Sequence, residues 1–288
     1  MVMFMVGVWL EWPDSNVHIV MCDVGQGDAT VVIHRFTQVV IDGGPSSEKM
    51  MACLSERMPF WDRQIEMVVV SNNDEDHYLG LIEVLERYEV GMFVASSIVK
   101  KAKSFEKLRE VVVSEEALVH VPQVGEELKA GELAFKVLWP QEKMGDERLW
   151  HAQPVVDASL SEILGAMSVK EPNSYSVVLE LDFGEFEALF TGDIGEDEEK
   201  ILLERGLRDI EYLKVGHHGS KYSSSLKFLE KIMPEVAVIG VGAKNSYGHP
   251  TKEVLGNLEQ VGAKVLRTDK DGIIEVVSDG ERMWINTD

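Results

Sequence analysis

Residues Ser71-Asn72-Asn73-Asp74-Glu75-Asp76-His77 place carboxylates at 74 and 76 beside an imidazole at 77, directly after the apolar run Met67-Val68-Val69-Val70. Oxygen and nitrogen donors at the carboxyl end of a buried strand can converge on one metal ion. The same run also suits a plain strand-to-helix turn, because Asn and Asp cap helices and acidic side chains are favourable at a helix N-terminus. Other strand ends carry similar groups. Thr191-Gly192-Asp193 follows an alternating segment at 186–190, and Gly216-His217-His218-Gly219-Ser220 follows an apolar segment at 210–215. A Thr-Gly-Asp turn can be only a turn, and paired histidines can simply bond backbone. Joint occurrence is what argues for metal, with Asp74, Asp76, His77, Asp193, His217 and His218 as candidate ligands.

The elements that must hold these groups follow from periodicity. Strands are expected at 17–21, 29–34 and 38–41, a helix at 46–58, a buried strand at 65–70 and, after the polar run, a helix at 79–88. A strand at 90–95, a basic helix and strands near 117–121 and 132–139 come next. The segment 141–171 is less regular, with a helix expected at 157–169, and reads as an insertion or lid, since long loops in compact domains are often functional. A hairpin at 176–182 and 186–190, alternating helices and strands to 241, a helix at 251–260 and closing strands complete the chain. Asp23-Val24-Gly25-Gln26-Gly27-Asp28 contains Gly-x-Gly, but a strand follows where a dinucleotide fingerprint requires a helix, which excludes a nucleotide-binding turn.

The two halves echo each other. One hairpin ends in Ile41-Asp42-Gly43-Gly44, the other in Phe190-Thr191-Gly192-Asp193, and each is followed by a helix and a similar strand. The first strand empties into 71–77 and the second into 216–220. Such a repeat predicts two half-sites facing one cleft, within sheets flanked by helices.

Composition narrows the function classes. With 288 residues and 45% hydrophobic content the chain can fill a large core. Segment 1–16 is expected to be an N-terminal extension or first strand, followed by a single domain over 17–288. The apolar start, 1–10, is too short to span a bilayer and no Lys or Arg precedes it, so it is expected to be a core strand or the remnant of a lost membrane segment. Cys22 and Cys53 have neither metal-finger nor redox spacing; no disulfide is expected, and a reducing, cytoplasmic setting is the default. A net charge of −22 disfavours a broad electropositive surface for polyanions. The basic segment Lys100, Lys101, Lys103, Lys107 and Arg109 reads first as a solvated helix face and second as a nucleic-acid contact. The acidic run 196–199 is accounted for by stabilisation of a helix N-terminus.

The motifs Asp23 to Asp28, Ile41 to Gly44, Ser71 to His77, Asn173 to Leu179, Thr191 to Ile194, Leu213 to Ser220 and Asn245 to Pro250 together resemble the metallo-β-lactamase fold. The resemblance is closest to the C-terminal hydrolase domain of the DNA-uptake protein ComEC and its free-standing relatives. It implies an α/β fold, an αββα sandwich of two mixed sheets packed face to face with outer helices. It also implies one or two divalent ions, zinc or manganese, and a phosphodiesterase or nuclease that uses a metal-bound hydroxide. By the same resemblance Asp76, His77 and His218 hold one ion, with Asp193 bridging toward a second held by Asn72, Asp74 and Asn173. Here the chain departs from its relatives, because Asn72 stands where the family pattern Thr-His-x-Asp-x-Asp-His has His. A neutral amide oxygen is a poorer zinc ligand than imidazole. Asp74, Asp76 and His217 are the expected catalytic residues, with Asp74 orienting water or accepting its proton. Asp28 and Asp42 are expected to fix the ligands from behind. Lys214, Ser220, Asn245 and His249, with His217, are donors for a phosphate oxygen. The expected substrate is a phosphoester, with DNA as one form and a small phosphoester as another. The second reading is a binding or regulatory protein that kept the fold and lost turnover through Asn72.

Overall fold

The computed structural model describes residues 13–96, 100, 102–141 and 172–288. Segment 1–12, most of the expected insertion with its helix, and Lys101 lie outside the described residues.

The first half of the chain supplies β1 (Val17–Met21), β2 (Thr30–His34), β3 (Thr37–Ile41), α1 (Ser47–Arg57), β4 (Gln64–Val70), α2 (Glu75–Arg87), β5 (Glu89–Ala95), α3 (Lys103–Glu115) and β6 (Leu118–His120). The second half supplies β7 (Glu127–Ala130), β8 (Leu133–Trp139), β9 (Val178–Phe183), β10 (Phe186–Phe190), α4 (Glu196–Glu204), β11 (Tyr212–Lys214), α5 (Leu226–Ile232), β12 (Val236–Ile239), α6 (Lys252–Gln260) and β13 (Lys264–Arg267). After a short helix, α7 (Thr268–Asp271), strands β14 (Ile274–Ser278) and β15 (Met283–Thr287) return to the first sheet.

Among the described residues one sheet runs β15-β14-β1-β2-β3-β4-β5-β6 and the other β13-β12-β11-β10-β9-β8-β7. The internal echo is a topological repeat. In each half an antiparallel hairpin, β2–β3 or β9–β10, passes through a helix into a parallel strand, β4 or β11, which pairs with the hairpin's second strand. The site-bearing loops therefore leave the carboxyl ends of parallel strands in both sheets, where α/β proteins open their clefts.

Three apolar layers make this an αββα sandwich. Val17, Ile19, Val39, Met67 and Val69 of the first sheet meet Phe135, Leu179, Leu181, Phe190 and Tyr212 of the second. Val68 and Val70 point the other way, onto Leu54, Leu81, Val84 and Phe105 of the helices. This alternation explains why β4 is apolar at successive positions: a strand covered on both faces has no solvent side to mark with polar residues. Leu213, Ala237 and Ile239 pack on Leu202, Phe228 and Leu258 on the far side of the second sheet.

Two elements differ from expectation. Helix α2 begins at Glu75 rather than at 79, because Glu75 and Asp76 complement the helix N-terminus in its first turn. Strand β7 was absent from the sequence pattern: it alternates exposed Glu127 and Lys129 with Leu128 and Ala130, too little apolar signal to be seen before its pairing with β8 is known.

The expectation about the cysteines is corrected. Cys22, just after β1, is bonded to Cys53 of α1, and both are buried in the first helix–sheet core. Disulfides persist chiefly in oxidising compartments, so the cysteines no longer argue for a reducing one. Closing a loop of sequence separation 31 is expected to stabilise the fold by roughly 3–4 kcal/mol. Reduction, or the pair Cys22→Ala and Cys53→Ala, is therefore expected to lower the melting temperature by several degrees, with thiol counting by alkylation to follow the bond. An unchanged melt with both thiols free would remove the bond from the account.

Candidate metal centre

Three backbone segments meet at the start of α2. Gly43 N–H donates to the His77 carbonyl (2.6 Å), Gly80 N–H to the Gly44 carbonyl (2.8 Å) and Asp28 N–H to the Asp76 carbonyl (3.1 Å). Gly80 is required for this approach, since a Cβ there would stand 1.9 Å from the Gly43 carbonyl oxygen. Asp42, His217 and His218 are held at positive φ (60°, 47° and 53°), conformations that L-residues rarely adopt and that concentrate at functional sites.

Both imidazoles are anchored through Nδ1. His77 Nδ1 lies 2.9 Å from Asp42 Oδ2, and Asp42 in turn accepts from Ser71 N–H (2.7 Å) and Ser71 Oγ (2.5 Å). His218 Nδ1 lies 2.9 Å from the Gly240 carbonyl and 3.3 Å from Asp28 Oδ1. The Nε2 atoms consequently share a front face with two carboxylates. His77 Nε2 is 3.1 Å from Asp193 Oδ2 and 4.0 Å from Asp76 Oδ1. His218 Nε2 is 3.3 Å from Asp76 Oδ2 and 3.9 Å from Asp193 Oδ2.

That face suits a divalent ion. Tetrahedral ligands at about 2.0–2.2 Å from a metal stand roughly 3.3–3.6 Å apart, within the span found here. His218 Nε2 and Asp193 Oδ1 are buried and make no hydrogen bond. Two carboxylates and two imidazoles also balance a 2+ charge, and the set mixes oxygen and nitrogen donors. Asp28 joins His77, Asp193 and His218 in a buried group whose donor atoms lie within 4.8 Å of one another. It reaches both rings from the Nδ1 side, however, so it supports the rings, and Asp76 closes the Nε2 face.

Electrostatics are dominated by burial opposed by close opposite charges. Burial disfavours a charged His77, but Asp193 and Asp42 outweigh it and hold the ring well above its usual 6.5. Burial likewise opposes charge on His218, yet Asp28 and Asp193 push it up to about 10. Asp193, despite burial, is drawn well below the ordinary carboxylate range by His77, His218 and Lys214. His217 and His249 are lowered, first by burial, and stay neutral near pH 7.

The positions expected to hold a second ion are arranged differently. Asn72 Nδ2 donates to Asn173 Oδ1 (3.0 Å), and Asn173 Nδ2 faces the His217 ring nitrogens at 3.4 and 3.5 Å. Asp74 occupies the N-cap position of α2 but makes no side-chain capping bond, and its Oδ1 takes a 2.7 Å ion pair from Lys100.

The expected phosphate donors divide as well. Lys214 is buried, paired with Asp28, donates to the Gly192 carbonyl (2.9 Å) and lies 3.8 Å from Asp193 Oδ1, so it stands behind the ligands instead of facing a substrate. Asn245 spends its amide on the Gly242 and His249 carbonyls and the His249 N–H, all within its own loop. Ser220 is buried, its Oγ accepting from Tyr222 N–H (3.4 Å). His217 and His249 remain at the cluster: the His217 ring centroid lies 6.2 Å from that of His218 and 5.8 Å from that of His249.

Three contributors went unread in the sequence. Ser71 sits where the family pattern has Thr, a hydroxyl that could have been recognised as a bond to Asp42. The Gly240 carbonyl and the Lys100–Asp74 pair carry no local signal, because their partners are distant along the chain.

Residues 22–242 match the family model of the metallo-beta-lactamase superfamily, and the chain belongs to that superfamily. Within it the chain is similar to ComE operon protein 3 of Bacillus subtilis (strain 168), 29% identical over 91% of this chain and 33% of the relative. It is also similar to Recombination protein 2 of Haemophilus influenzae, 27% identical over 88% of this chain and 28% of the relative. The chain thus spans about a third of the length of these curated relatives. Among solved structures, the metallo-beta-lactamase fold protein YhfI from Bacillus subtilis superposes with a TM-score of 0.56 at 9% identity, covering 94% of this chain and 100% of that one, a likeness of fold. No helix among the described residues is long and apolar enough to cross a membrane.

Proposed function

We propose that this chain is a metal-dependent phosphodiesterase, with nucleic acid as its leading substrate class. The observation that carries the proposal is the convergence of His77 Nε2, His218 Nε2, Asp76 and Asp193 on one point, with both imidazoles braced from behind. A bound divalent ion lowers the pKa of water from about 15.7 toward about 7 and neutralises charge that develops on a phosphoryl oxygen. The chain's own groups do the rest. Asp42 and Asp28 fix the ring orientations, and Asp193 and Asp76 supply the negative charge that retains the ion. Neutral His217 and His249 offer ring nitrogens to a phosphate oxygen beside the cluster. Relatives named for recombination and, over a shorter stretch, competence support a nucleic-acid substrate. The net charge of −22 points instead to a small phosphoester, because non-specific DNA affinity comes largely from phosphate neutralisation.

Metal analysis of the purified chain, then turnover of bis-(p-nitrophenyl) phosphate with added Mn²⁺ or Zn²⁺, tests the activity. Cleavage that a chelator stops and metal restores is expected; no bound ion and no turnover with any ion would sink the proposal. Plasmid and single-stranded DNA then separate a nuclease from a small-ester hydrolase. The Asn72–Asn173 bond favours one competing reading, a binding protein without turnover, and the same assay decides it.

A further inference from the structure

We infer that this chain holds one divalent ion, and that the ammonium of Lys100 stands in for the second cation of the two-ion arrangement. The inference rests on the metal reading of His77, His218, Asp76 and Asp193 given above. Its basis is the donor set at the neighbouring half-site. A second ion would need negative or strongly basic ligands from positions 72, 74 and 173, with Asp193 as bridge.

Asp74 and one amide oxygen of the two asparagines are already committed. Asp74 is the single carboxylate among 72, 74 and 173, and its Oδ1 receives Lys100 Nζ at 2.7 Å. The Lys100 side chain is 23% exposed and that of Asp74 44%, so the pair lies at the partly open edge of the site. Asn72 and Asn173 hydrogen-bond to each other at 3.0 Å. Whichever way their amides are turned, one carbonyl oxygen of the pair is occupied by the other's NH₂. The other end of the Asn173 amide faces the His217 ring nitrogens at 3.4 and 3.5 Å. An incoming cation would therefore meet two mutually bonded amides, the Lys100 ammonium and a carboxylate that is already neutralised. Hard divalent ions select carboxylates, and this half-site offers no uncompensated one while Lys100 holds Asp74.

The arrangement is also economical in charge. Lys100 and Asp74 cancel at one half-site, while Asp76 and Asp193 remain to balance one ion at the other. A single-ion centre of this kind keeps a fixed positive group on Asp74, where a second metal would come and go with its supply.

Stoichiometry of the full chain tests this without recourse to activity. After chelator treatment and dialysis against Mn²⁺, mass-spectrometric metal analysis and calorimetric titration should give one equivalent. Lys100→Met, which frees Asp74 at a partly exposed position, should bind a second, weaker equivalent. Lys100→Arg, which keeps the cation, should stay at one. Two equivalents in the unmodified chain would overturn the inference. So would a single equivalent in Lys100→Met, since Lys100 would then not be what excludes the second ion. No bound ion in the unmodified chain would remove the metal reading itself, and this inference with it.

Discussion

His218→Ala is expected to strip the chain of its stoichiometric metal and to cut phosphodiester turnover by about 10³-fold or more, the scale of the several kcal/mol that an ion contributes to a hydrolytic transition state. His218 is one of the two rings whose Nε2 atoms face Asp76 and Asp193. Asp42→Asn is the graded control. It leaves all four candidate ligands in place but weakens the carboxylate behind His77 Nδ1, and changes of that type cost roughly 10–100-fold in metal affinity. Affinity is further expected to rise with pH. His77 and His218 hold protons above the usual imidazole range, His218 up to about 10, so an ion must displace them to reach Nε2. Acidification raises proton occupancy and weakens metal binding, and titrations at two pH values check the sign. Undiminished metal and turnover in His218→Ala would place the chemistry elsewhere.

Much of this could be read from residues because the fold repeats itself. The hairpin ends at Asp42 and Asp193, and the strand ends at Val70 and Lys214, are marked by abrupt changes from apolar to polar residues. Parallel pairing of β3 with β4 and β10 with β11 turns those marks into neighbours. What could not be read is whatever depends on the approach of segments far apart in the chain. The bond between Cys22 and Cys53 needs α1 to pack beneath the end of β1, which spacing alone does not indicate. Lys214 reads on paper as an exposed phosphate donor, because lysine is seldom buried. In the structure it occupies a place that only Asp28, arriving from the first half, makes tolerable. Lys100, read as part of a solvated face, is matched to Asp74 by the packing of α3 against α2.

Lys214→Met should be the most destabilising single substitution at this site, by about 3–5 kcal/mol, because it removes one partner of a buried ion pair and leaves the other uncompensated. Lys214 is paired with Asp28, donates to the Gly192 carbonyl and lies close to Asp193, with all three side chains nearly inaccessible to solvent. In the native chain Asp28 and Asp193 have carboxyl groups below their ordinary range, although burial works the other way, because His218, His77 and Lys214 favour the charged forms. A depressed carboxylate contributes stability above its unfolded pKa, near 3.8 here, and that contribution is lost as pH falls through the folded value. Removing Lys214 raises both carboxylates, so the acid side of the stability profile should move to higher pH. A divalent ion at the Nε2 face restores positive charge close to Asp193, and added metal should therefore recover more stability in Lys214→Met than in the parent. Lys214→Met combined with Asp28→Asn should lose less than the sum of the two single changes, since neither charge is then left alone. Urea unfolding of the parent and these variants at pH 7 and pH 5, with and without Mn²⁺, measures each of these differences. If Lys214→Met unfolds like the parent at both pH values, the ammonium is not what holds the two carboxylates together, and the three-sided charge cluster behind the rings must be balanced by the histidines themselves.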